Sequence, residues 1–161
     1  ELVASSKLRK AKERAETCRP YFTELHETLK DIARENIDFS SVYARESSNP
    51  RYCYVAIAGD RGLAGGYNAN LFKCLEAAAE GKDYVVLPIG KKAVEYFRQR
   101  GIECLTDKFA EIADISVADC FEIANLLCEE FRKGTFGHIE LYHFCIHAFS
   151  AAGGIFCTSY D

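Results

Sequence analysis

Apolar side chains recur at steps of three and four residues along the first third of the chain. One row contains Leu8, Ala15, Phe22 and Leu29, and the other contains Ala11, Cys18, Leu25 and Ile32. This is an a/d heptad pattern, which is typical of a helix that supercoils against another helix. Burying the larger of these side chains is worth about 10 kcal/mol in total. The pattern therefore predicts a partner helix.

The length of this helix is the second prediction. One helix over residues 2–36 is about 50 Å long at about 1.5 Å per residue, whereas the remaining chain forms a body roughly 35 Å across. Pro20 removes a backbone donor and crowds the carbonyl of Glu16, but the heptad phase continues through it, so we predict a kink and not an end. In the alternative interpretation, the stripe packs on this chain's own sheet, above all in the half after Pro20.

The rest of the chain alternates between short apolar runs and helical periods. The predicted strands are 51–58, 84–89, 102–105 and 138–149, and the predicted helices are 67–80, 91–100 and 112–133. Such alternation predicts an α/β fold, Rossmann-like, with a mostly parallel sheet and flanking helices. The predicted domains are a long, projecting N-terminal coiled-coil helix (1–38), a polar linker loop (39–50) and the α/β body (51–161).

Charge is unevenly distributed in this chain of 161 residues, whose net charge is −4. The overall acidity argues against a general polyanion binder. Basic residues nevertheless cluster along the heptad helix, and we predict that Lys7, Arg9, Lys10 and Arg14 contact a partner. No aromatic residues are interleaved with them, so a solvated helix flank or an acidic protein partner is favoured over nucleic acid. A helical adaptor that docks nucleic acid through residues 7–14 remains an alternative.

Cysteine and histidine offer little chemistry. The 8 cysteines are scattered without a CxxC pair, and neither a signal peptide nor a long apolar stretch is present, so free thiols in a reducing compartment are expected. His143, Cys145 and His147 alternate and would share one face of a strand as zinc ligands. Spacing supplies no fourth ligand. Packing is therefore the favoured role, and we predict no metal, no cofactor and no catalytic residue.

The glycine-rich loop Gly59–Gly66 falls between a predicted strand and a predicted helix, where phosphate-binding loops occur. It matches neither G-x-G-x-x-G nor the P-loop, because no Lys-Ser or Lys-Thr follows. The favoured interpretation is a tight structural turn in which Asp60 and Arg61 pair with neighbours. A free-standing nucleotide-binding α/β module that uses this loop is the alternative.

The same loop carries a resemblance to a known family, the gamma subunits of rotary (F-type) ATP synthases. Their motif D-R-G-L-C/A-G-G-x-N-x-N-L/F is matched here by Asp60, Arg61, Gly62, Gly65, Gly66, Asn68 and Asn70. Residues 3–10 and 19–21 resemble the family's first helix, and residues 89–92 resemble its I-G-x-K-G segment. Lys92 replaces the usual glycine there, and the S-Q-x-P stretch expected after Phe149 is missing.

The resemblance implies a non-catalytic rotor subunit in the central stalk of a proton-translocating ATP synthase. In that family the first helix and a C-terminal helix, absent from this sequence, wind into an antiparallel shaft. The implied partners are the alpha and beta subunits, the epsilon subunit and the membrane ring of c subunits, with neither nucleic acid nor a small-molecule substrate. The implied location is peripheral, on the cytoplasmic face of the bacterial plasma membrane or the equivalent organelle side.

Overall fold

A computed structural model describes residues 2–35, 47–60, 65–111, 115–143 and 157–159. The chain divides into two compact units, Glu1–Arg45 and Glu46–Asp161. The first unit contains α1 (Leu2–Glu35), which is helical through Pro20. The prediction that Pro20 does not end this helix is confirmed, although a proline inside a helix costs about 3 kcal/mol. The predicted division at residues 38 and 50 stays a prediction.

The second unit alternates strands and helices. Its elements are β1 (Tyr52–Ile57), α2 (Gly65–Ala79), β2 (Tyr84–Ile89), α3 (Lys91–Gln99), α4 (Val117–Lys133), β3 (His138–Tyr142) and β4 (Cys157–Ser159). Gly81 follows α2 with a φ of 74° and Gly134 ends α4 with a φ of 77°. A left-handed residue of this kind ends a helix, and glycine adopts it without strain.

The strands form one sheet in the order β2-β1-β3-β4. β1 is parallel to both of its neighbours, with Tyr54 opposite Val86 on β2 and opposite Glu140 on β3. β4 is antiparallel to β3. The predicted mostly parallel sheet is therefore confirmed, and its parallel part consists of β2, β1 and β3.

Both faces of the sheet are covered by helices. On one face, Tyr54 and Val86 pack with Leu75 of α2 and Phe97 of α3. On the other face, a second cluster built on Cys53, Val55, Val85 and Leu87 is covered by α4 side chains that include Ile123, Leu127 and Phe131. The fully apolar sequence of β1 reflects this position, because a strand covered on both sides has no polar face.

Three predicted elements differ from the structure. The predicted strand 102–105 is reduced to one parallel bridge between Cys104 and Val86. The predicted helix 112–133 begins only at Val117, because Ser116 caps it. The strand predicted over 138–149 is described as far as Tyr142, and residues 144–149 lie outside the described part of the chain. β4 was not predicted.

Candidate functional site

The exposed apolar stripe of α1 is the first candidate site. Of the predicted seam, Cys18, Phe22 and Leu25 are exposed, with exposed fractions of 58% for Phe22 and 43% for Leu25. Tyr21 beside them is 74% exposed. Neighbouring exposed apolar side chains of this kind are typical of interaction surfaces, so this part of α1 is a candidate for one. The other seam side chains, those of Leu8, Ala11, Ala15, Leu29 and Ile32, lie outside the described part.

Several interactions within α1 stabilise this helix. The Arg9 guanidinium lies 3.3 Å from the Glu13 carboxylate, and Lys30 lies 3.2 Å from Glu27. Such pairs stabilise an isolated helix by about 0.2–0.5 kcal/mol each. The rings of Phe22 and His26 are stacked, with their centroids 6.0 Å apart. These interactions support the helix locally, while Cys18, Phe22 and Leu25, the described part of its stripe, are exposed.

The basic residues predicted to contact a partner lie on this helix. Arg9, Lys10 and Arg14 are exposed, whereas the side chain of Lys7 lies outside the described part. Arg9 is engaged with Glu13 on the helix surface. Exposed charges of this kind steer association more than they hold a complex together, because each exposed pair contributes roughly 0–1 kcal/mol.

The glycine-rich loop is the second candidate site, and Asn68 closes it. The Asn68 carboxamide accepts a hydrogen bond from Gly59 N at 2.9 Å and donates one to Gly59 O at 3.3 Å. Its side chain is buried in the first turns of α2. The phenol of Tyr67 also donates to Ile57 O at 2.9 Å. The amide thus joins the end of β1 to α2, which is a structural role.

Asp60 joins the same loop to α3. Its carboxylate accepts a hydrogen bond from Lys91 N at 2.9 Å. The N-cap residue of α3, Gly90, has no side chain and makes no side-chain cap of its own. Asp60 therefore supplies the cap from a distant position, and a negative charge at a helix N-terminus is favourable. Its carboxylate lies where a bound phosphate would otherwise accept such donors.

The remaining motif residues divide between described and undescribed positions. Gly65 is the first residue of α2, Gly66 is exposed, and Asn70 is exposed on the same helix. Arg61 and Gly62 lie outside the described residues. Where the motif is described, Asn68 and Asp60 bind backbone groups of this chain. This geometry agrees with the structural interpretation of the loop, and the nucleotide-binding alternative gains no support from it.

Sequence reasoning missed the attachment of residues 47–51 to the body. Asn49 Nδ2 donates to Gly134 O at 2.6 Å, and Gly137 N donates to Arg51 O at 2.8 Å. A Cβ on Gly137 would lie 2.1 Å from Asn49 O, so only glycine fits there. The Asn-Pro pair at 49–50 was the available signal, because asparagine before proline favours a turn.

Arg51 extends this attachment to the opposite edge of the body. Its guanidinium lies 2.6 Å from Glu103 and 3.3 Å from Asp83. The hydrogen bond to Glu103 is the main cause that raises the pKa of Arg51 above its ordinary value. Arg51 Nε, the buried atom nearest Asp83, makes no hydrogen bond, so that contact is an ion pair without hydrogen-bond geometry.

The described residues test only part of the zinc and thiol predictions. His143 is described, but Cys145 and His147 lie outside the described residues. Among the residues described, no group of three potential ligands is close enough to hold a metal ion. The described cysteines, namely Cys18, Cys53, Cys74, Cys104, Cys120 and Cys128, are all free. Burial raises the pKa of the Cys53 thiol to about 12, so it remains protonated and unreactive.

Among the described helices, none is both long enough and apolar enough to cross a bilayer.

α4 has a second exposed apolar pair, Val117 and Phe121, with exposed fractions of 73% and 68%. The predicted role of α4, to cover the sheet, accounts for Ile123 and Leu127 but not for this pair.

Comparisons with known proteins add to this geometry. The model of a family described as ATP synthase matches residues 1–150. The ATP synthase gamma chain of Ruminococcus albus is 44% identical over 149 residues, which cover 89% of this chain and 51% of the relative. That of Alkaliphilus metalliredigens is 38% identical, covering 83% and 46%. A gamma chain of Acetobacterium woodii, described as sodium ion specific, is 31% identical, covering 88% and 47%. The chain therefore spans about half the length of these relatives.

Proposed function

Since the chain belongs to the ATP synthase family and, within it, to the gamma chains, we propose that it forms part of the central-stalk rotor. In this role it catalyses nothing. It transmits rotation between an ion-driven ring and the catalytic head, and the described part of the chain supplies two pieces for this: a long helix and a rigid α/β body. The family and the exposed Phe22 and Leu25 of the stripe support the rotor role, and the exposed stripe is the observation that carries the proposal.

The stripe fits a shaft because a helix under torque gains stiffness from a second helix wound around it. The exposed Phe22 and Leu25 occupy successive a and d positions, where coiled coils bury their largest side chains. The proposed partner at this seam is the C-terminal helix of the same gamma chain. The shaft they form is proposed to turn inside the ring of alpha and beta subunits.

The body is proposed to contact the epsilon subunit and the membrane ring of c subunits. Its covered sheet and the hydrogen bonds that Asn68 and Asp60 accept from backbone N–H groups make it a compact unit, which suits a part that must rotate without deforming. The proposed location is therefore the membrane periphery, on the cytoplasmic side in a bacterium. We propose the proton as the coupling ion, and the sodium ion specific relative makes Na⁺ the alternative to test.

Charge and seam variants in an assembled ATP synthase whose gamma chain carries this sequence test the proposal. Reversing charge at Lys7, Arg9, Lys10 and Arg14 is expected to weaken assembly or to uncouple ATP hydrolysis from ion pumping. The matched control exchanges lysine and arginine at the same positions and keeps every charge. Unchanged assembly, hydrolysis and pumping after reversal would reject these residues as partner contacts.

The seam is tested in the same complex by Leu25→Asp, with Thr23→Asp on the outer surface of α1 as the control. A buried unpaired carboxylate costs several kcal/mol, so Leu25→Asp is expected to abolish coupling while Thr23→Asp retains it. Equal coupling in both variants would contradict the shaft role. Calorimetry with ATP, ADP and NAD tests the rival module, since saturable micromolar binding would favour it.

A further inference from the structure

The charged residues of α1 are sorted by heptad position. With Phe22 at a and Leu25 at d, the positions that flank the stripe, e and g, are occupied by Lys12, Arg14 and Arg19. Carboxylates occupy only the outer positions b, c and f: Glu13, Glu16, Glu24, Glu27 and Asp31. The flanks are therefore positive from Lys12 to Arg19, and from Lys12 to Asp31 they contain no carboxylate.

Several outer charges are paired within the helix, whereas the described part of α1 shows no ion pair for its two flanking arginines. Arg9 pairs with Glu13 and Lys30 pairs with Glu27. Lys12 reaches Glu16 at 3.8 Å. In the part of α1 that the structure describes, Arg14 and Arg19 form no ion pair, and both are exposed. Two guanidinium groups thus lie beside an apolar surface without a counter-charge from the described side chains of their own helix.

We propose that the helix that covers this stripe carries carboxylates at its own flanking positions, opposite residues 12–19. The inference rests on the proposed coiled-coil function of the stripe and specifies the chemistry of its occupant. Charges at e and g set partner choice in coiled coils, and arginine forms two parallel hydrogen bonds with a carboxylate. A helix flanked by lysine or arginine would place like charges against Arg14 and Arg19.

The second half of the stripe has different flanks. Tyr21 and Thr28 occupy g positions and His26 occupies an e position, with the His26 ring stacked on Phe22. No lysine or arginine flanks the stripe between Tyr21 and Thr28. A partner with carboxylates at one end only can meet both arginines in a single direction and register. The flanking charges therefore select the partner's orientation as well as its identity.

Two synthetic four-heptad peptides test this inference against the intact chain. Both have leucine at a and d and the same neutral outer positions, but one has glutamate and the other lysine at e and g. Each repels copies of itself, which limits self-association. Titration is followed by fluorescence anisotropy at low and high salt. The glutamate peptide is expected to bind at least tenfold more tightly, and the difference is expected to shrink with salt.

Matched variants localise the effect. Arg14→Gln with Arg19→Gln lowers the net charge by the same amount as Thr17→Glu with Thr23→Glu, whose residues occupy outer positions. The flank variant is expected to lose about three- to tenfold of its affinity for the glutamate peptide, and the outer variant less than twofold. Equal losses in the two variants would overturn the proposal, because overall charge would then explain the binding.

Each remaining outcome is informative. If both peptides bind equally, the charge inference is wrong while the coiled-coil function stands. If neither binds, the stripe does not accept a helix, and the proposed function fails with the inference. A duplex DNA of mixed sequence serves as a third ligand. Salt-dependent DNA binding that is lost in the flank variant would assign the arginines to nucleic acid and overturn the proposal.

Discussion

The α/β body and α1 differ in whether their leucine and phenylalanine side chains are buried. In the body, Leu75 and Phe97 are fully buried between the sheet and its helices, whereas Phe22 and Leu25 of α1 are exposed. A buried leucine or phenylalanine contributes roughly 1.5–3 kcal/mol to stability. The body therefore buries its large apolar side chains in its own core, whereas those of α1 would be buried only by the second helix that we propose.

The largest expected effect is the difference in the free energy of unfolding between two leucine-to-alanine substitutions in the isolated chain, one in the body and one on α1. Leu75→Ala is expected to lower the free energy of unfolding by about 2–5 kcal/mol, because it leaves a cavity in the core. Leu25→Ala is expected to change it by less than about 0.5 kcal/mol. Urea unfolding followed by tyrosine fluorescence measures both. A large loss from Leu25→Ala would show that α1 is already covered in the isolated chain.

The second prediction concerns the attachment of residues 47–51 to the body. Gly137→Ala forces a methyl group against the Asn49 carbonyl and Ser47 Oγ, so a loss of about 3 kcal/mol is expected. Gly66→Ala is the matched control, because a Cβ there meets nothing within 4 Å and alanine favours a helix. Urea unfolding compares the two, and a Gly137→Ala variant as stable as Gly66→Ala would contradict this account of the attachment.

The motif asparagines sharpen the comparison within the body. Asn68→Ala removes both hydrogen bonds to Gly59 and leaves partly buried backbone groups of Gly59 without this partner, so a loss of about 2 kcal/mol is expected. Asn70→Ala, on the exposed side of the same helix, is expected to cost less than about 0.5 kcal/mol. Thermal unfolding by circular dichroism measures both variants. Similar melting temperatures would mean that the loop is held by something other than the carboxamide.

The smallest expected effect is at the start of α4. Ser116 accepts a hydrogen bond from Asp119 N, and the Asp119 carboxylate accepts one from Ser116 N. Ser116→Ala is expected to cost about 1 kcal/mol at neutral pH. The control is Ser48→Ala, at an exposed position, and it should leave stability unchanged.

The same cap predicts a pH dependence. Hydrogen bonds from Ser116 are the main cause that lowers the pKa of Asp119 below its ordinary value. A lowered carboxylate pKa stabilises the fold above the unfolded-state pKa, near 4, and this contribution is lost as the pH falls through the folded pKa. Unfolding curves from pH 6 to pH 2 are therefore expected to converge for the parent chain and Asp119→Asn. A constant gap would contradict the cap.

Periodicity predicted the regular elements well, and local chemistry explains where it did not. The helix predicted from 112 followed the apolar spacing of Ile112 and Ile115, but Ser116 and Asp119 form a capping box that starts α4 later. That signal was present in the sequence. β4 had no comparable signal, because Cys157, Thr158 and Ser159 show neither alternation nor an apolar run.

The candidate sites were predictable as residues but not as contacts. The motif pointed to Asn68 and Asp60, yet their partners are the backbone of Gly59 and Lys91. Backbone partners leave no trace in side-chain patterns, so only the fold reveals these bonds. The stripe on α1 is the reverse case, since its heptad spacing is visible in the sequence while its proposed partner helix is not.

Maleimide labelling of Cys18, followed by peptide mass spectrometry, tests the central claim most directly. Cys18 occupies a d position of the stripe and is exposed in this chain. The buried Cys53 is the internal control, because its thiol is expected not to react while the body stays folded. Cys18 is expected to react readily in the isolated chain and at least tenfold more slowly in an assembled ATP synthase whose gamma chain carries this sequence. Equal labelling rates in the two states would contradict the claim that a second helix covers the stripe.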